Sequence, residues 1–238
     1  MTASRRPILE TPANRLLSRL PRTERERILG QCTLVELRFG EPLAEAGLAH
    51  PAAWFPLDGF VSLVATVKGH APLEMGLIGN EGMLGATLAL GVDTVPLGGV
   101  VQGAGNALRI GLRPFKRCLK QSPVLQRSLQ RYLYVVLAQL AQSAACTRFH
   151  EVNQRLARWL LMTHDRTRGD QLQLTHQFLA DMLGVRRSAV TIAAGLMQDR
   201  GIIHYRRGVI EVLDRAALEA WSCECYARVV EDYDQQLG

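Results

Sequence analysis

No run of eighteen apolar residues occurs in the 238-residue sequence, so no membrane-crossing helix is expected. The N-terminal stretch MTASRRPILETPANRLLSRL lacks the continuous apolar segment of a secretory signal, which makes the cytoplasm the expected compartment. Cysteine is scarce: five residues (Cys32, Cys118, Cys146, Cys223 and Cys225), odd in number and scattered, do not make a disulfide framework. Gly-x-Ser-x-Gly, His-Glu-x-x-His and P-loop motifs are all missing, and nothing fixes the separation of Glu74 and Glu81 as a carboxylate pair, so no enzymatic activity is expected. The glycines of GLIGNEGMLG (76–85) are followed by no lysine and lie in a β-rich pattern, which suits tight turns better than a phosphate cradle. Internal repeats and low-complexity linkers are absent as well.

What is present is enough for two modest domains: 47% apolar residues, a net charge of +6 and a pI near 9.4, the last compatible with a nucleic-acid partner. Residues 13–29 read as a short basic helix with Leu16, Leu17, Leu20 and Ile28 on its apolar side. Residues 32–113 are rich in Val, Leu and Gly, with turn signals at FGEPLAEAG, PLDG, VKGH, IGNEG and PLGG; short strands at roughly ten-residue intervals predict an all-β roll or barrel. Residues 123–145 then form a helix whose apolar band is wider than a single seam. A band of that width can pack on its own domain and on a second helix, and Leu125, Leu129, Tyr132, Leu133, Val136 and Leu140 are the expected contacts of a symmetric pair. A further helix over 150–166 bridges to the C-terminal part.

The segment LTHQFLADMLGVRRSAVTIAAGLMQDRGII (174–203) carries the most information. Phe178, Leu179, Met182 and Leu183 recur at helical intervals, Thr175 stands at the N-cap, and Gly184 stands where the chain would turn. A second periodic set, Val190, Ala193, Ala194 and Met197, ends at Gly201. Two helices joined by a short glycine-containing turn form a helix-turn-helix, whose second helix enters the DNA major groove by its N-terminal end. Arg186, Arg187, Ser188 and Thr191 occupy that end. Arginines there oppose the helix dipole, so they are not placed for stability, whereas the guanidinium fork matches guanine O6 and N7.

Next, IIHYRRGVIEVL (202–213) predicts a hairpin with a basic tip, the wing of a winged helix. Arg206 and Arg207 at the tip, with Thr175 and His176 at the start of the first helix, are the candidates for phosphate contacts. From Arg166 to Val209 seven arginines face three aspartates, a net +4; from Ile210 onward two arginines face seven acids, a net −5. The basic charge is thus concentrated on the reading unit.

This order of parts, and above all NQRLARWLL followed by the helix-turn-helix segment, resembles the Crp/Fnr family of bacterial transcription regulators. The resemblance implies an α+β chain: a β-roll of the cyclic-nucleotide-binding kind over 1–120, a dimerisation helix over 121–147 and a winged helix-turn-helix over 148–238. The family's recognition helix opens with a pattern like Ser-Arg-x-x-Val, which falls here on residues 186–190. Arg187 matches the guanine-reading arginine, Ser188 stands where many members have a base-reading Glu, and Arg186 where a small capping residue is common. Implied partners are an inverted-repeat site in double-stranded DNA, a second copy of the chain, and RNA polymerase; no membrane partner is implied.

The sensor region departs from the family pattern. Its Phe-Gly-Glu segment aligns with Leu84-Gly85-Ala86, without the carboxylate that takes the ribose. The phosphate-binding arginine should lie near Val95-Pro96-Leu97-Gly98, yet no arginine occurs between Arg38 and Arg109, where Lys68 faces six acids (Glu41, Glu45, Asp58, Glu74, Glu81 and Asp93). A buried phosphate would lack compensation, so cAMP is not expected to bind in the family's way. The iron–sulfur type needs clustered N-terminal cysteines that are missing here. Haem on His50, His70 or Cys32, or another nucleotide, is an alternative effector. No cofactor is identified. Cys223 and Cys225, taken as part of one C-terminal helix, would point to different sides with no further ligand near, so they read as structural and no metal site is expected. An interaction module that keeps a winged helix as scaffold is a further alternative, though it would have no reason to keep Arg186, Arg187, Arg206 and Arg207 together.

Overall fold

The computed structural model describes residues 14–167 and 169–237. Ala13, the first residue of the expected basic helix, and Arg168 lie outside them. By its internal contacts the chain divides into two units, one of residues 1–61 and 78–133 and the other of 62–77 and 134–238. Neither edge of the expected dimerisation helix is the boundary; the division runs through that helix and sets a hairpin segment of the sheet apart from its neighbours.

In the first unit the basic helix is in fact two, α1 (Arg15–Ser18) and α2 (Arg22–Leu29), because Pro21 precedes α2 and cannot continue a helix from α1. Leu16, Leu17, Leu20 and Ile28 are all buried, as their spacing predicts. Asn14 caps α1 through Leu17 N and donates its amide to the carbonyls of Pro56 and Gly82, tying the helix to the roll.

The sheet strands are β1 (Thr33–Leu37), β2 (Pro42–Ala44), β3 (Ala52–Ala65), β4 (Leu73–Ile78) and β5 (Gly98–Gly111), in the order β1-β5-β3-β4 with β2 also on β5. Two of them are longer than the turn signals predict: β3 and β5 each run for 14 residues. PLDG (56–59) is a bend inside β3, not a loop. Gly59 has φ +78°, and a Cβ there would sit 2.4 Å from the carbonyl oxygen of Gly103. Gly105 in turn lies against the backbone of Asp58, whose carboxylate accepts from Asn106 N at 2.5 Å. Glycines on facing strands thus allow a close backbone approach where the sequence suggested a turn.

Helix α3 (Leu112–Gln121) has no counterpart in the sequence reading. Pro114 makes its start look like loop, yet proline is tolerated in a first helical turn, where N–H groups have no intrahelical acceptor. Phe115, Cys118 and Leu119 are buried at helical spacing, and Phe115 meets Phe55 edge to face at 6.1 Å.

Helix α4 (Pro123–Phe149) is 27 residues long and starts at Ser122, whose hydroxyl accepts from Leu125 N at 3.0 Å. Its first half closes the roll. Tyr132 fills the space left by Gly82, where a Cβ would be 2.1 Å from the phenol oxygen. That glycine leaves room for a side chain and also closes the turn the sequence suggested, its N–H donating to the Gly79 carbonyl at 3.1 Å.

The second unit is built around α5 (Val152–His164), whose residues 155–163 are all buried. Packed on it are α6 (His176–Leu183), α7 (Arg187–Asp199) and α8 (Arg215–Trp221), with a three-stranded sheet of β6 (Gln171–Gln173), β8 (Val209–Val212) and β7 (Ile203–Arg206). Helix α9 (Cys225–Leu237) ends the chain. Glu74 of the β3–β4 hairpin is half-buried in this unit. It accepts from Ser62 Oγ at 2.6 Å and Trp159 Nε1 at 2.7 Å, and burial raises its carboxyl to about 7 against those two donors.

Candidate nucleic-acid interface

The helix-turn-helix forms as its sequence predicts. Thr175 Oγ1 accepts from Phe178 N at 3.2 Å, which starts α6. Gly184 ends it with φ 63° and ψ 40°, a left-handed conformation that costs other residues more. A Cβ at Gly184 would also come within 2.8 Å of Leu73 Cδ1. Val190, Ala193, Ala194 and Met197 turn inward and are buried, which fixes the rotation of α7 about its axis.

With that face inward, Arg186, Arg187, Ser188 and Thr191 are all exposed at the N-terminal end of α7. Arg186 is the N-cap and makes no side-chain cap bond. The first-turn N–H groups of α7 and the arginine side chains therefore present positive potential on the same side. Thr191 Oγ1 donates to the Arg187 carbonyl at 3.1 Å, and its oxygen lies 3.0 Å from His176 Nδ1.

His176 does not present its ring nitrogens to solvent, as a phosphate contact through the imidazole would need. Its ring stacks on Tyr205 with centroids 4.1 Å apart, and its Nε2 is buried without a partner. Burial, then the charge of Arg187, lowers its pKa, so the neutral ring acts as a spacer between α6, α7 and β7. The sequence expectation for this residue is corrected: packing hides the nitrogen a phosphate would need. Thr175 remains exposed, and its hydroxyl hydrogen stays free of the cap bond.

The wing is a two-residue hairpin. Arg206 pairs with Val209, and the loop residues Arg207 and Gly208 have φ of 52° and 81°, the pattern of a type I′ turn. Both arginines are exposed. Leu174 N donates to the Gly208 carbonyl at 2.7 Å, which holds the tip beside Thr175. Sequence reasoning missed Ile192, one turn beyond Ser188 and 66% exposed. Its signal was its place off the stripe of Val190, Ala193, Ala194 and Met197; an apolar side chain there suits a thymine methyl group.

On α4 the expected pairing residues are mostly turned the wrong way. Leu125, Leu129 and Tyr132 are buried within the one chain, and Leu133, Val136 and Leu140 are half-buried. Besides Phe149 at the helix end, the large apolar side chains left uncovered are Tyr134 and Leu137, 53% and 65% exposed, followed on the same face by exposed Ala141 and Ala144. Steps of three, four and three residues are the spacing of a coiled-coil seam. The wide apolar band concealed which part of it the roll would take.

In the roll, Leu84 and Ala86 are buried, and a Cβ on Gly99 would come within 2.8 Å of Leu84 Cδ2. Apolar packing therefore occupies the segment that aligns with the family's ribose-binding carboxylate. The haem candidates are engaged or apart: His50 Nε2 bonds Thr87 Oγ1 at 2.9 Å, Cys32 donates to the Ile28 carbonyl at 3.2 Å, and His70 is exposed on the β3–β4 turn.

Cys223 and Cys225 require the largest correction. They do not lie on one helix, because α8 ends at Trp221 and α9 starts at Cys225. Across that break both thiols turn inward and meet Cys146 and His150 from the end of α4. Cys223's hydrogen bond, with help from Arg158, lowers Cys146 against burial, and the same bond and burial raise Cys223.

Comparison with known proteins agrees with this architecture. Residues 154–221 match the Crp-like helix-turn-helix domain family. A regulator of the Crp/Fnr family from Eubacterium rectale superposes with a TM-score of 0.67 at 15% identity, covering 87% of this chain and 96% of its own. The c-di-GMP-responsive global regulator CLP of Xanthomonas campestris gives 0.64 at 18% identity, with 81% and 99% covered. A Crp/Fnr-family transcriptional regulator of Thermus thermophilus gives 0.64 at 22%, with 80% and 98% covered. No curated protein sequence matches the chain significantly. Among the described residues no helix is long and apolar enough to cross a membrane.

Proposed function

We propose, from a chain that carries a Crp-like helix-turn-helix domain on the fold of Crp/Fnr transcription regulators, that two copies pair and read an inverted repeat in double-stranded DNA. The observation that carries this reading is the cluster of exposed Arg186, Arg187 and Ser188 at the start of α7, beside a wing whose tip is Arg206-Arg207. Arg187 reads a base, with Arg186, Ser188 and Thr191 beside it. Arg206, Arg207 and Thr175 hold phosphates. Pairing through Tyr134, Leu137, Ala141 and Ala144 supplies the second reading helix, since half-sites about 34 Å apart need two.

The sensor works without the family's cyclic-nucleotide contacts, in keeping with the arginine-free stretch from 39 to 108 and the packed Leu84. Whatever acts on the regulator must bind its two arrangements unequally. Its role is regulation in the cytoplasm rather than catalysis, with RNA polymerase as a further partner.

Selection of genomic fragments by the purified protein, sequenced alongside Arg187→Ala and without added effector, tests the reading. The expected result is an enriched inverted repeat that the variant loses. Equal enrichment by the variant would remove Arg187 from base reading.

A further inference from the structure

We infer that Cys146, His150, Cys223 and Cys225 form a closed tetrahedral site for a thiophilic divalent ion, zinc in the first place. Their ligand atoms all lie within 4.8 Å of one another, three from buried cysteines and one from a half-buried histidine. Cys146 Sγ is 3.6 Å from Cys223 Sγ, and Cys225 Sγ is 3.4 Å from His150 Nδ1. Zinc–sulfur bonds of about 2.3 Å and a zinc–nitrogen bond of about 2.0 Å at tetrahedral angles place such atoms roughly 3.8 and 3.5 Å apart. A disulfide would need its sulfurs at about 2.05 Å. A set this tight encloses one ion rather than an iron–sulfur cluster.

The surroundings also fit a metal. His150 Nε2 lies 3.1 Å from Glu224 Oε1, so its N–H faces the carboxylate and the Nδ1 lone pair faces the sulfurs. Metal-binding histidines are commonly fixed through a carboxylate in this way. Gln142 Nε2 donates to Cys225 Sγ at 2.9 Å. Arg158, only 9% exposed and with its Nε buried without a partner, brings positive charge to the Cys146 side. Three thiolates and a neutral imidazole around zinc carry one net negative charge, which that guanidinium offsets.

Nor is this an ordinary piece of core. The buried apolar cluster here consists of the three cysteines alone, apart from the main cluster around α5. With four protein ligands and no open position, the site is structural in type. As the metal–sulfur bonds form, the thiol protons leave to solvent. The ion then ties the α8–α9 connection to the end of α4, 77 residues away along the chain from Cys146 to Cys223. Zinc uptake is read on the protein alone and does not depend on DNA binding.

The test uses the full chain, purified reduced and metal-free. Zinc is titrated against a chromophoric chelator, and cobalt(II) is then bound as a spectroscopic probe. The expected result is one zinc per chain and a cobalt spectrum with thiolate charge-transfer and intense tetrahedral bands. Cys32→Ser should keep both and Cys223→Ala should lose both. Glu224→Gln changes an exposed side chain, so it tests the site without endangering the fold. It should weaken zinc binding by roughly 10-fold or more. A pale octahedral cobalt spectrum or less than stoichiometric zinc on the unaltered protein would overturn the site. So would a Cys146–Cys223 disulfide that forms readily in protein showing no prior metal uptake.

Discussion

Arg207→Gly should raise the stability of the protein while weakening its hold on DNA. Arg207 is the only described non-glycine residue with positive φ, at 52° in the wing turn. The left-handed conformation costs an L-residue about 1–2 kcal/mol, and glycine avoids that strain but loses roughly 0.5–1 kcal/mol more backbone entropy on folding. The net gain is about 0.5 kcal/mol, a rise of roughly 1–2 °C in Tm for a chain of this size. The side chain is exposed, so little offsets the gain. On DNA, a phosphate contact contributes about 0.9 to the slope of log K against log salt, and two wings contribute about 1.8. The advantage of the unaltered protein should therefore shrink about 12-fold between 50 and 200 mM salt. Thermal melts and fluorescence anisotropy across a salt series read the two effects separately. A lower Tm would refute the strain argument, and an unchanged salt slope would remove Arg207 from the phosphate contacts.

Arg187→Ala should cost about 1–3 kcal/mol on the selected site and little on scrambled DNA, as measured by competition binding. Leu137→Glu places a charge in the proposed seam; sedimentation should then show monomers with an unchanged circular dichroism spectrum, and persistent dimers would exclude that face. Gly82→Ala forces a Cβ toward Tyr132 and should destabilise the fold by about 1–3 kcal/mol in urea melts, with recovery when Tyr132 is also made smaller. Glu74 sits at about 7, above its usual 4.5, so the folded state binds its proton more tightly. Its contribution is full below about pH 4.5 and declines as pH rises to about 7, by at most about 3 kcal/mol. Glu74→Gln should flatten that part of the stability–pH profile, and an unchanged profile would count against the burial argument.

The helix-turn-helix was legible because its signals are local. Thr175, Gly184, the stripe from Val190 to Met197 and the Arg-Arg-Gly tip each act within a few residues, and each does what its chemistry predicts. The roll was legible as β but not in its strand lengths, since Gly59 and Gly105 serve close approach between strands rather than turns. The expected single basic helix failed at Pro21, and α3 was hidden by a proline tolerated in its first turn.

By itself the sequence determined where the positive charge lies, which helix opens with Arg186 and Arg187 and that no arginine stands between Arg38 and Arg109, because these depend on residue type and short spacing. Tertiary structure decided three other matters. Packing within the chain selected which side of α4 stays exposed, so Tyr134 and Leu137 are uncovered while Leu125, Leu129 and Tyr132 are buried. The stack with Tyr205 turned His176 from a surface donor into a half-buried spacer whose Nε2 is covered. A helix break after Trp221 brought Cys223 and Cys225 to Cys146 and His150. Each outcome depends on contacts between residues distant along the chain, and neither local propensity nor periodicity carries that information.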